Sequence, residues 1–239
     1  MNYILKNNKY HKNRYIILKL IVRSITLNIP PGVRKRHCGV RSTQCLYYIS
    51  AFLALSPLAI LIVYVTLIYN RREAELLLMY AGQVVCDFLN TQLKHIFQQA
   101  RPSAIISDYG MPSNHAQFIS YFAGYLLLWC FFRAQNLPQH ICIRNMVILI
   151  VSVISVCFSR VYLHFHTVWQ VIVGFFVGAV FSVFWFFFIS LLRKIGLIDV
   201  VLRSWPNNYL YIKDTMNKEH NTIKKEWETW TKSNFYKQK

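Results

Sequence analysis

The sequence predicts an all-α, multi-span transmembrane helical bundle, and two uncharged runs carry that expectation. No charged residue occurs in the 25 positions from Cys45 to Tyr69, and none in the 26 positions from Thr167 to Leu192. Each run exceeds the roughly 20 residues that a helix needs to cross about 30 Å of hydrocarbon. A chain of 239 residues, 55% hydrophobic and 16% aromatic, has the length of one or two soluble domains, but two such runs place it in a bilayer.

Three weaker apolar segments lie between the strong ones. Leu76 to Leu93 is apolar apart from Asp87, Asn90 and a few amides; His115 to Phe132 is rich in aromatic and aliphatic residues; Asn145 to Phe158 is a Val/Ile run of 14, short for a span unless it extends into its flanks. The reading is therefore about five spans, at 46–69, 75–93, 115–132, 145–160 and 167–192. Alternation puts the loops 94–114 and 160–166 on one side of the membrane. The other side receives Arg71, Arg72, Arg133, Arg144, Arg193 and Lys194, and the positive-inside tendency makes it cytosolic. The two loops then face the lumen or the exterior.

Residues 1–43 oppose that orientation: they carry ten Lys or Arg and no acid, yet fall on the lumenal side. Their segment 15–29 reads as an interfacial helix, a sixth span or a presequence. The resulting domain expectation is a basic N-terminal extension over 1–43, a membrane domain over 44–202 and a polar cytosolic tail over 203–239, with Trp205, Trp227 and Trp230 at headgroup depth. The net charge of +18 does not signal nucleic acid, because the basic residues flank apolar spans and no zinc-finger or RRM pattern is present. The six cysteines are isolated, with no CxxC pair, so neither a disulfide framework nor a zinc site is readable.

The chemically capable residues concentrate in the two loops on the common side. In KHIFQQARP, Lys94 and Arg101 are seven apart, which puts both on one face if the helix persists that far; a pair of membrane anchors is the plainer alternative. Pro102 biases Arg101 away from helix. In YGMPSNHAQF, Ser113 and Asn114 stand at a helix start, where they would cap it or leave N–H groups free for a phosphate oxygen, with His115 in the first turn. In SRVYLHFHTVWQV, Arg160 precedes His166 by six residues, and Gln170 lies one helical turn beyond His166. Gln170 would then fix the tautomer of His166, whereas His164 has only Val168 at that offset. Cations and N–H donors so gathered suit a tetrahedral phosphate, with one histidine attacking phosphorus and the other protonating the leaving oxygen.

These three motifs resemble the signature of the type 2 phosphatidic acid phosphatase superfamily: K-x6-RP, then PSGH, then SR-x5-H-x3-D. They stand here as Lys94 to Pro102, Pro112 to His115 and Ser159 to Gln170, with Asn114 for the glycine and Gln170 for the aspartate. The wider wording around them is similar to the dolichyldiphosphatase branch, which carries glutamine at that last position; the likeness runs from about Leu55 to Thr215. The resemblance implies a helical bundle of the phosphatidic acid phosphatase / haloperoxidase type and hydrolysis of dolichyl diphosphate at the lumenal face of the endoplasmic reticulum, without metal or other cofactor. The product would be the recycled carrier for protein N-glycosylation. It also implies phosphate binding by Lys94, Arg101, Ser113 and Arg160, His115 as acid, and a transient phosphohistidine at His166. Asp87, seven residues before Lys94, would pair with it or orient it, or play a purely structural part; Asn114 is a further supporting candidate. Alternatives are another lipid phosphate as substrate, phosphatidate among them, or an inactive membrane scaffold of the same fold.

Overall fold

The computed structural model describes residues 40–102, 108–133, 138–203, 207–214 and 230–232. The N-terminal segment 15–29, Trp205 and Trp227 lie outside the described residues. The described residues form helices α1 (Val40–Leu53), α2 (Ser56–Arg71), α3 (Ala74–Phe97), α4 (Asn114–Phe132), α5 (Gln139–Tyr162), α6 (Val168–Lys194), α7 (Leu197–Leu202) and α8 (Asn207–Leu210), with no strand among them.

Three helices, α4, α5 and α6, are long and apolar enough to cross a membrane, and a fourth span results if Cys45–Leu53 and Ser56–Arg71 count as one interrupted crossing. The predicted first span is interrupted before Ser56, and Pro57, which has no N–H to donate, suits the first turn of a new helix there. Helix α3 has 24 residues, about 36 Å of rise, so it is long enough; its charged and amide side chains make it less apolar than α4, α5 and α6. The Val/Ile run that looked short extends through His140 to Arg144 and gives α5 its 24 residues.

Helix α4 is central, packed against α6 most extensively and also against α5, α3 and α2. Its Tyr121 and Tyr125 are fully buried, with the Tyr121 hydroxyl donating to Met79 O at 3.0 Å. Small residues let α6 approach it closely, as in membrane helix pairs generally. A Cβ on Gly174 would lie 2.6 Å from Ser113 O, and one on Gly178 would lie 2.3 Å from Gln117 O. Polar bonds pin α4 to α3: Asn90 donates to Gln117 Oε1 at 2.7 Å, and Gln117 donates to Cys86 O at 2.8 Å. Helix packing thus fixes where α4 begins, and with it the PS-x-H motif.

At the opposite end of the bundle, Glu75 accepts from Tyr125, Arg133 and Arg193, and Arg193 also pairs with Asp214. Arg133 and Arg193, read as topology signals, are thus structural partners of an acid as well. The tail segment is tied to the same end: Lys213 N–H donates to Arg72 O at 2.9 Å, and Ala74 N–H to Lys213 O at 3.0 Å.

Candidate active site

Three chain segments meet at the other end of the bundle: the end of α3 with its following loop, the turn before α4, and the α5–α6 connection. They are the three sequence motifs, and main-chain bonds lock them together. Ser113 N–H donates to Gln170 O at 3.0 Å, and Gly110 N–H donates to Gln99 O at 2.7 Å.

The short α5–α6 connection decides which histidine enters. Arg160 O accepts the N–H groups of Phe165 and His166, and His164 turns the chain with a left-handed φ of 56°. His164 is exposed, whereas His166 is only 4% exposed. The His166 Nδ1 lies 3.0 Å from Gly110 O and 3.3 Å from Gln170 Oε1.

The orientation of the Gln170 amide follows from its main-chain partners. Thr167 N–H lies 3.2 Å from Oε1 and can only donate, while Ala100 O lies 3.0 Å from Nε2 and can only accept. Oε1 is therefore an acceptor. Both groups facing His166 Nδ1 accept, so Nδ1 carries the proton and Nε2 keeps its lone pair. Gln170 also donates to Gln99 Oε1 at 3.3 Å and shares a reciprocal capping box with Thr167. One amide thereby couples the start of α6, the His166 ring and the loop after α3. Burial, reinforced by Arg101, pushes His166 down to about 4, so the ring is neutral at pH 7.

Arg160 is 3% exposed, and its Nε and Nη2 share Ser159 Oγ at 3.3 and 3.4 Å. Among the described residues no carboxylate forms an ion pair with it. A buried cation without a counter-ion costs several kcal/mol, which is the signature of a site built for an anion. Ser113 adds to this. It is fully buried, makes no cap bond, and its hydroxyl has no hydrogen-bond partner. The capping alternative for Ser113 is therefore not the one realised. Its N–H, however, is taken by Gln170 O and is not free for a ligand.

His115 Nε2 donates to Ala54 O at 3.1 Å across the α1–α2 break, leaving Nδ1 as its other functional nitrogen. His115 is within electrostatic reach of Arg160, His166 and Arg101. Asn114 is exposed in the first turn of α4.

Two expectations need correction. Helix α3 does not persist to Arg101: it ends at Phe97, and Gln98 takes a left-handed φ of 45°. The two cations converge through Asp108 instead of through a shared helical face. Lys94 Nζ donates to Asp108 Oδ2 at 2.7 Å, and Arg101 Nη2 to the same oxygen at 3.3 Å. The carboxylate on Lys94 is thus Asp108, not Asp87, which lies two turns back on α3 with one oxygen buried and unpartnered. The Lys94 hydrogen bond holds Asp108 below the usual carboxylate range. Sequence reasoning missed Asp108, Gly110, Gln99, Asn90 and Gln117. Only Asp108 carried a signal, as the sole acid between Asp87 and Asp199.

The PAP2 superfamily model matches residues 72–194, a stretch that holds all three motifs. The chain belongs to the PAP2 superfamily. Dolichyldiphosphatase of Saccharomyces cerevisiae is 34% identical over 201 residues, covering 80% of this chain and 84% of the yeast protein. Human dolichyldiphosphatase 1 is 29% identical over 180 residues, covering 70% and 75%. The crystal structure of a transmembrane PAP2 type phosphatidylglycerolphosphate phosphatase from Bacillus subtilis superposes with a TM-score of 0.50 at 23% identity, covering 73% of this chain and 83% of that one, and so shares its fold. As a PAP2 member with such relatives, this chain is a multi-pass membrane hydrolase, a lipid phosphatase. The scaffold alternative gives way to an enzyme.

Proposed function

We propose that this PAP2 phosphatase hydrolyses dolichyl diphosphate to dolichyl phosphate and inorganic phosphate by way of a phosphohistidine on His166. The observation that carries the reading is the buried Arg160 guanidinium, without a carboxylate, beside a neutral His166 and an unpartnered Ser113 hydroxyl. Arg160, Arg101 and Lys94 would hold the terminal phosphate, and Ser113 would donate to one of its oxygens. Charge spread over those oxygens in the transition state is where such donors lower the barrier.

His166 Nε2 attacks the terminal phosphorus; the N–P bond forms as the bond to the bridging oxygen breaks. His115, protonated on Nδ1 under the negative charge of the bound diphosphate, gives that proton to the oxygen, and dolichyl phosphate departs. Water then attacks phosphorus with His115 taking its proton, the N–P bond breaks, and inorganic phosphate leaves with His166 restored. Gln170 keeps the His166 proton on Nδ1 throughout. All positive charge in this scheme comes from side chains, and it needs no metal.

The dolichyl assignment rests on relatives bearing the name dolichyldiphosphatase. With it come the wider expectations: five spans, a catalytic end facing the lumen of the endoplasmic reticulum, and a supply of carrier lipid for N-glycosylation. Purified protein in EDTA should release phosphate from dolichyl diphosphate faster than from phosphatidate, and His166→Ala should abolish release. Unchanged turnover by His166→Ala would end the mechanism, and preference for phosphatidate would replace the substrate.

A further inference from the structure

The anion site has two unlike halves. Among the described residues no carboxylate pairs with Arg160, whereas the Lys94–Arg101 half already holds one. Asp108 Oδ2 lies between the two cations, at 2.7 Å from Lys94 and 3.3 Å from Arg101, as a phosphate oxygen would. The burial is asymmetric. Lys94 and Arg101 side chains are 13% and 12% exposed, while that of Asp108 is 52% exposed. The cations are part of the wall, and the carboxylate reaches them from the open side.

An ion pair with so exposed a carboxylate contributes little to stability. A phosphate group offering several oxygens can displace it. The Asp108 main chain is a separate matter: Arg101 Nε donates to Asp108 O at 3.2 Å, so the loop keeps one anchor when the carboxylate leaves.

We propose that Asp108 is a resident competitor for phosphate, occupying the Lys94–Arg101 half of the site and returning to it as inorganic phosphate departs. The proposal rests on the reading above that Lys94 and Arg101 bind phosphate. Its consequence is specificity by charge. A lipid diphosphate carries enough negative charge and apolar anchorage to displace the carboxylate, while free phosphate competes against it poorly and is released.

The test is binding of inorganic phosphate to the purified full chain in detergent, followed by titration calorimetry for the native protein, Asp108→Asn and Asp108→Glu. Removing the competitor while keeping the shape should tighten phosphate binding by roughly three- to thirtyfold, the range set by two exposed ion pairs. Asp108→Glu restores a carboxylate and should bind phosphate as the native protein does. Unchanged or weaker binding by Asp108→Asn overturns the proposal, and weakening in both variants assigns Asp108 to loop structure instead. Turnover of dolichyl diphosphate is read separately. Tightened phosphate binding without turnover removes the substrate assignment and keeps Asp108 as competitor. Normal turnover with untightened binding does the reverse.

Discussion

Replacing Gln170 by glutamate changes one NH2 group into an oxygen and leaves the shape of the side chain intact. Gln170 Nε2 donates to Ala100 O at 3.0 Å and Gln99 Oε1 at 3.3 Å, so both bonds become contacts between acceptors. Gln99 can turn its own amide and donate, but Ala100 O is main chain and cannot. A buried acceptor left unpaired costs about 1–3 kcal/mol. For a chain of this size that lowers the melting midpoint by roughly 2–12 °C.

The new charge acts on His166 in the opposite sense to burial. A carboxylate oxygen about where Oε1 now lies, 3.3 Å from Nδ1, favours the imidazolium and raises the ring from about 4 toward its ordinary 6.5. Less of the neutral nucleophile is then present near neutrality, while its orientation by Gly110 O is kept. Gln170→Glu should therefore melt earlier, shift the acid limb of turnover upward, and lose about tenfold or less in kcat near pH 7. Thermal unfolding in detergent, turnover from pH 5 to 8 and NMR titration of labelled histidine measure the three quantities. An unchanged melting point together with an unshifted His166 would refute the assignment of Gln170 as the amide that couples the Ala100 loop to the nucleophile.

Ser113→Ala removes a hydroxyl that has no partner in the resting protein, so its melting point should move little while kcat/KM falls by about ten- to a thousandfold. Arg160→Met replaces an unpaired buried cation with an apolar side chain; the variant should be inactive yet melt at or above the native midpoint, and a clear drop in midpoint would show that Arg160 has a structural counter-ion. Gly174→Ala puts a Cβ 2.6 Å from Ser113 O, forcing α6 off the start of α4; a loss of about 1–3 kcal/mol and of most activity should follow, read by melting and turnover. Unfolded His166 takes a proton near 6.5 and the buried ring only near 4, so the unfolded state binds more protons in that window. Stability should fall as pH drops through it, by on the order of 3 kcal/mol in total, and His166→Phe should flatten that part of the stability–pH curve.

The sequence determined the helical, membrane-spanning class of the chain and named the three motifs that make up its candidate site. Uncharged runs longer than a bilayer's apolar thickness have no other stable home, and the three motifs keep their order and spacing whatever the packing. It also favoured His166 over His164 on a one-turn offset to Gln170, but His166 lies before α6, and the turn of the α5–α6 connection is what sets the two side by side. Tertiary structure decided which groups are paired and which are left open. That Lys94 meets Asp108 and not Asp87, that Ser113 declines its cap, and that Arg160 lies buried without a carboxylate all depend on where α3 stops. They depend equally on how closely Gly174 lets α6 approach α4. Spacing along a chain fixes which residues share a turn, but partners from different segments are chosen by packing, and packing is set by the whole bundle at once.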